Sequence, residues 1–300
     1  MQPPSKTSQP ADSNEVEARA WRSLLDAAAA NRRGVEYDDP SGWLVAGDDG
    51  LRPAPATPTA ARPLLELYAP LCTTRAAQPL TLAHLGQSLD GFIATASGDS
   101  YYVTGPDNVR HLHRLRALSN AIVVGAGTIA RDDPQLTVRH VAGDNPVRVV
   151  LDPSARLDAR RRVFSDGAAP TLVVHAEGLI APPPGNAEVL RVPAVNGRLE
   201  LDVLLARLHE RGLACVFVEG GGETVSRFLE AGLLDRLHVA IAPLITGHGR
   251  PGLSLAARDK IAECLRPAHR VFTMGGDVLF DCDLRGAPTA PPSGTLTRAI

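Results

Sequence analysis

From Leu80 onward, apolar runs of strand length alternate with helix-length amphipathic stretches, and this alternation restricts the possible folds more than any other feature. The runs are LTLAHL, AIVVG, VRVVLD, TLVVHA, ACVFVE, LHVAIAP and VLFDCDL. Between them the spacing predicts helices over Pro106–Leu118, Leu201–Arg211 and Thr224–Ala231. Short strands that are apolar along both faces, separated by helices, form a mostly parallel sheet covered on each side. The segments around Arg270–Met274 and Val278–Cys282 are joined by Gly275-Gly276-Asp277 and read as an antiparallel hairpin on that sheet. The expected class is therefore a three-layer αβα domain with a mixed, mostly parallel sheet.

Proline concentrates in the flanks, which sets the domain limits. Residues 1–78 read as an N-terminal extension with a polar, disordered start. A helix is expected over Asn14–Arg32, where Ala18, Trp21, Leu24, Leu25 and Ala28 recur at helical spacing and Gly34 stops the pattern. A short extended piece follows at Trp43-Leu-Val. The stretch RPAPATPTAARP reads as a linker unable to hold a sheet ladder or a helix. Residues 79–286 form the folded α/β domain, and 287–300 a disordered tail.

With 31 basic and 33 acidic residues the net charge is −2, so the chain lacks the basic excess of a general nucleic-acid or membrane-surface binder. No apolar run approaches the ~20 residues of a membrane helix, and MQPPSKTSQPADSNE lacks a signal-peptide pattern. A cytoplasmic protein is expected. Cys72, Cys215, Cys264 and Cys282 are far apart with no CxxC, which argues against a zinc ribbon, a redox pair or a disulfide framework. His175-Ala-Glu177 matches half of a zinc-deaminase signature, but no PCxxC accompanies it. His111 and His113 are two apart on a helix and face different ways. No metal is implied.

Two strands run into glycine-rich turns. The first, Gly125-Ala-Gly127-Thr128-Ile-Ala130, matches the dinucleotide fingerprint, but Asp132-Asp133-Pro134 ends its helix after a turn and a half. An ordinary Rossmann domain is disfavoured. The second, Glu219-Gly220-Gly221-Gly222-Glu223-Thr224-Val225-Ser226-Arg227, passes from a buried strand straight into an amphipathic helix. Its backbone N–H groups and helix N-terminus suit a phosphate, and Thr224 and Ser226 add hydroxyl donors. It lacks GK[ST], so it is not an NTPase P-loop. Arg156, soon after the strand VRVVLD, is a candidate for a nucleotide 2′-phosphate.

These turns belong to an ordered set of motifs: SLDG, the segment ASGDSYYVT, LRALSNAI, DDPQLTVR and EGGG. Over about Leu80–Leu284 the chain resembles the reductase domain of the bacterial riboflavin-biosynthesis deaminase/reductase proteins. That resemblance implies a dihydrofolate-reductase-like fold, an NADPH cofactor, a small-molecule substrate and a homodimer. It also implies reduction of 5-amino-6-(5-phosphoribosylamino)uracil by hydride transfer to the ribose C1′. Carried over by motif, Ser100, Arg116, Leu136, Arg139 and Glu219 would contact the substrate, the arginines suiting its phosphate. Gln87, Tyr102, Thr128, Asp132 and the run Gly221, Gly222, Glu223, Thr224, Val225, Ser226 and Arg227 would contact NADPH. Asp132, Glu219 and His84 are the catalytic candidates, with Asp132 favoured as the source of the proton that accompanies hydride.

The chain departs from the family pattern at two of these positions. His84 stands where the fused enzymes commonly carry a lysine, and Tyr102 where they usually carry a tryptophan. The N-terminal 78 residues do not resemble the deaminase half, so a stand-alone reductase is expected. The alternatives are an NADPH reductase of a related pterin or pyrimidine-type heterocycle in a secondary pathway, and a non-catalytic nucleotide-binding module.

Overall fold

A computed structural model describes residues 13–47, 50–73, 78–101 and 103–286. The expected disordered start and tail, and Tyr102, lie outside the described residues, save for Ser13 and Asn14, which are helical. The chain divides into two compact units between Thr74 and Arg75.

The first unit opens with helix α1 (Ser13–Arg32), whose buried stripe of Val16, Ala20, Trp21, Leu24, Ala27 and Ala28 follows the helical period. Strands β1 (Leu44–Gly47) and β2 (Gly50–Pro53) pair antiparallel. Helix α2 (Arg62–Tyr68) runs into a 3₁₀ turn, Ala69–Thr73. The proline-rich stretch is thus not a linker. Pro53 ends an edge strand and Pro63 occupies the first turn of α2, two places where a missing N–H and a fixed φ are tolerated. Trp21 packs edge-on against Tyr68, with ring centroids 5.9 Å apart, and the Arg19 guanidinium lies over the Trp43 ring.

Asp39 ties the loop after α1 to β1. Its carboxylate accepts hydrogen bonds from the Ser23, Tyr37 and Ser41 hydroxyls and from the backbone N–H groups of Ser41, Trp43 and Leu44. Burial would raise its pKa, but these donors outweigh burial and hold it below 3.8. The folded-state pKa is depressed, so the stabilisation is complete above the unfolded value and is lost as pH falls through the folded one. Asp39→Ala should destabilise this unit by about 2–3 kcal/mol at pH 7. Hydrogen exchange at residues 41–44 measures it, and unchanged protection would remove Asp39 from this role.

In the second unit the elements follow in the order β3 (Leu80–Ser88), β4 (Phe92–Thr95), α3 (Pro106–Leu118), β5 (Ala121–Gly125), α4 (Ala126–Asp132) and β6 (Val147–Leu151). Then come α5 (Arg162–Ser165), β7 (Thr171–Ala176), β8 (Glu188–Val192), the small hairpin β9 (Ala194–Val195) and β10 (Arg198–Leu199), and α6 (Leu201–Glu210). The chain continues through β11 (Cys215–Val218), α7 (Gly222–Glu230), β12 (Arg236–Ala242), β13 (Gly249–Pro251), β14 (Ala268–Met274) and β15 (Asp277–Asp283).

Among the described residues nine strands form one sheet in the order β14-β15-β12-β3-β11-β5-β6-β7-β8. The pairings from β12 to β8 are all parallel, and β15 lies antiparallel to both its neighbours. This is the expected mostly parallel sheet with a C-terminal hairpin. On one face Val123, Val149, Leu172 and Val216 meet Leu204 and Leu208 of α6 and Val225 and Phe228 of α7. Burying a side chain such as Phe228 contributes roughly 2–3 kcal/mol. Helix α3 covers part of the other face, completing three layers.

Candidate active site

The chain moves from β3 to β5 and returns to place β11 between them, so the carboxyl ends of these strands open a crevice where open α/β sheets bind ligands. A cleft of about 800 Å³ lies there. Its floor is the Glu219–Gly222 turn between β11 and α7, and one wall is helix α4 with the loop that follows.

The glycine turn is built for close approach. Gly221 takes φ 51°, the left-handed region that glycine enters without penalty. A Cβ on Gly222 would lie 2.5 Å from the carbonyl oxygens of Pro251 and Gly252. Helix α7 begins at Gly222, so its free N–H groups face the cleft end, and Thr128 lies 3.1 Å from where a Gly221 Cβ would stand. This is a cradle for an anionic group.

The facing loop is strained. Asp133 and Leu136 have φ of 40° and 56°, although neither is glycine, and the Leu136 side chain is buried at the cleft wall. Non-glycine residues in this region cost about 1–3 kcal/mol each and persist where the surroundings hold them. The loop's anchors include Asp133, which accepts from the Arg162 backbone N–H, and Thr137, whose carbonyl accepts from Arg116.

Arg116 and Glu219 form a bidentate pair at 2.6 and 2.5 Å, with side chains 8% and 14% exposed. Arg116, expected to contact the substrate, is not among the residues that line the cleft. Its fork is fully engaged by Glu219 and the Thr137 carbonyl, and it fixes a carboxylate that does face the cleft.

Around this one cleft the structure brings together His84, Ser100, Thr128, Asp132, Leu136, Glu219, Gly221, Gly222, Glu223, Ser226 and Arg227. Arg139 lies off it, bonded to Thr137 Oγ1 at 2.6 Å. Its backbone N–H donates to His113, so the two helix histidines do serve separate contacts. Gln87 packs its side chain against Gly252. Val225 is buried in the core, and Thr224 packs against the Gly125 backbone. Arg156 is exposed and does not line the cleft; its N–H donates to Asp152, which caps that turn.

Sequence reasoning missed Thr104, Asn108, Arg131, Arg198 and Arg250, which also line the cleft. Asn108 carried a signal: it and His111 are polar, three apart, and on the buried face of α3. Both ring nitrogens of His84 and Oδ1 of Asn108 are buried with no hydrogen-bond partner among the described residues. Burial, and then His238, lower the His84 pKa to about 3, while Asn108 beside it pulls weakly the other way. At neutral pH the cleft therefore meets an uncharged imidazole.

Residues 79–266 match the model of the RibD C-terminal domain family. The 2,5-diamino-6-ribosylamino-4(3H)-pyrimidinone 5′-phosphate reductase of Methanothermobacter thermautotrophicus is 38% identical over 70% of this chain and 100% of its own length. The riboflavin biosynthesis protein RibD of Aquifex aeolicus is 34% identical over 68% of this chain, which spans 57% of that protein. The crystal structure of a deaminase/5-amino-6-(5-phosphoribosylamino)uracil reductase from Thermotoga maritima superposes with TM-score 0.60 at 28% identity, covering 74% of this chain and 61% of that one.

Fold and cleft thus define an α/β reductase of the pyrimidine-reductase class. The chain belongs to the RibD C-terminal domain family of riboflavin biosynthesis, as the motif resemblance implied.

Proposed function

We propose that the chain is an NADPH-dependent reductase that adds hydride to the ribose C1′ of a phosphoribosylamino-pyrimidine. The observation that carries this reading is the convergence, in one cleft, of the Gly220–Gly222 cradle with the polar wall formed by His84, Asn108, Asp132 and Glu219. The cradle, whose Gly222 leaves no room for a Cβ against the Pro251 and Gly252 carbonyls, fits a dinucleotide pyrophosphate. Beyond it, Arg198 and Arg227 line an extension of the cleft. Burial and then Arg198 lower the Arg227 pKa, a strain that a bound 2′-phosphate would relieve. These two arginines take over the role expected of Arg156. Arg227→Ala should weaken NADPH binding about tenfold or more and NADH binding much less, and equal losses would discard this assignment.

When bound, the nicotinamide cofactor supplies the hydride. The chain's own residues supply the rest: the backbone N–H groups of the cradle would hold the pyrophosphate, and His84 and Asn108 would hydrogen-bond the sugar. Opening of the glycosylamine gives a C1′=N bond; hydride adds at C1′ and a proton adds at nitrogen, so one proton is consumed. Asp132, exposed on the cleft rim, exchanges that proton with solvent, and Glu219 held by Arg116 sets the field near the reacting carbon.

Asp132→Asn should lower kcat about 100-fold or more with an unchanged melting temperature; normal turnover would remove Asp132 from the mechanism. Two substrates fit the reading, differing at the pyrimidine 2-position. The full-length match to the Methanothermobacter reductase favours the 2-amino compound, 2,5-diamino-6-ribosylamino-4(3H)-pyrimidinone 5′-phosphate, over the uracil. NADPH oxidation with each compound, with NADH in parallel, tests the proposal. Binding of NADPH without turnover of either would move the reading to another heterocycle.

A further inference from the structure

Beneath the cleft, four polar side chains from four elements form one buried row. His84 of β3 and His238 of β12 are register partners, so both rings leave the same sheet face. His111 descends from α3. Its ring meets His84 edge-on at 5.0 Å between centroids and stacks on His238 at 5.2 Å. His111 Nε2 and His238 Nδ1 are 3.1 Å apart, and His238 Nε2 is 3.2 Å from Asp281 Oδ1, off the line of a straight hydrogen bond. None of the four is more than 4% exposed. Asp281 is also paired with Arg236 at 2.6 Å and Arg270 at 2.5 Å.

Elementary electrostatics fixes the hydrogens. Burial alone would raise the Asp281 pKa, but His238 and Arg236 hold it well below the usual carboxylate range. A bare nitrogen lone pair 3.2 Å from that carboxylate would be repelled, so the His238 hydrogen sits on Nε2. With a single hydrogen on His238, its Nδ1 accepts and His111 donates to it from Nε2. Charging His111 is opposed first by burial and then by His84, His238 and Arg114. Among the described residues, the His111 ring and the register partner His238 lie beside His84, with the Asn108 amide near it.

We infer that His111, His238 and Asp281 are positioning residues that hold His84 as an oriented, neutral imidazole, presenting one N–H donor and one bare nitrogen to the substrate. The two nitrogens point apart, so the ring offers a donor to one sugar oxygen and an acceptor to another hydroxyl, unlike the donor-only ammonium of a lysine. The sugar as ligand rests on the reductase reading above; the proton arrangement does not.

The test begins with ¹⁵N-histidine spectra of the full chain without ligand, from pH 5 to 8. His238 and His111 should both appear as Nε2–H tautomers, with His84 neutral throughout. His84 titrating in that range, or His238 protonated on Nδ1, would overturn the inference. His238→Phe keeps an aromatic ring in the stack and removes both polar contacts. It should raise KM for the phosphoribosylamino-pyrimidine about tenfold, change kcat less and leave NADPH affinity unaltered. His238→Gln, which can donate to Asp281 and accept from His111, should recover most of that loss. Equal KM values for the two variants would reduce the row to packing and overturn its role. The expected tautomers in a chain that reduces neither pyrimidine would overturn the reductase reading and leave the row's arrangement standing.

Discussion

Gly222→Ala should cost the protein its dinucleotide binding, with NADPH affinity falling at least about 100-fold and stability by about 1–3 kcal/mol. The added methyl has no flexible neighbour to displace. It meets the backbone carbonyl oxygens of Pro251 and Gly252 at 2.5 Å, so either β13 or the start of α7 must shift. A shift of α7 moves the N–H groups that face the anion, and geometric errors of this kind are costly at a preorganised site. Gly276→Ala, at a hairpin turn with nothing within 4 Å, is the matched control and should behave as the wild type. Calorimetric titration with NADPH and thermal melts of both variants decide the matter. Wild-type affinity in Gly222→Ala would mean that the cradle does not hold the cofactor.

Breaking the Arg116–Glu219 pair should have the second large effect. Glu219→Leu leaves a guanidinium 8% exposed and facing an apolar side chain, and removing one partner of such a pair costs about 3–5 kcal/mol. Arg116→Met strands the carboxylate instead, at similar cost. The double variant, with both charges removed, should regain most of the stability, because the desolvation cost disappears with the pair. It should not regain turnover, because the cleft then lacks the carboxylate that Arg116 fixes. Urea unfolding and steady-state kinetics on all three variants separate the two effects. A double variant with normal kcat would show that the pair serves folding alone.

The second unit was readable because its strands are uninterrupted apolar runs and its helices keep a clear period. The β5 run is buried from Ala121 through Val124, and such a segment has no alternative but the centre of a sheet. Strand β8 was not foreseen, since Glu188–Val192 mixes charged and apolar residues after a proline-rich turn. In the N-terminal unit the helix and the extended piece after it were legible, but the proline-rich stretch was misread, because proline propensity was taken as decisive where position within the element decides. In the cleft, the glycine turn was legible because its signal is local. The role of Arg116 was not, because its partner is 103 residues away and a lone arginine in a helix resembles any surface cation. The histidine row was hidden in the same way, its members being supplied by α3 and three strands.

Trp21 and Trp43 are the chain's two tryptophans, and both belong to the N-terminal unit. Intrinsic fluorescence excited at the red edge of protein absorption therefore reports that unit alone and is blind to unfolding of the sheet. Circular dichroism sees both. A denaturation followed by the two signals together would show whether the units melt as one or in sequence, without any label or truncation. Coincident curves would mean that the extension and the reductase unit share a single cooperative transition.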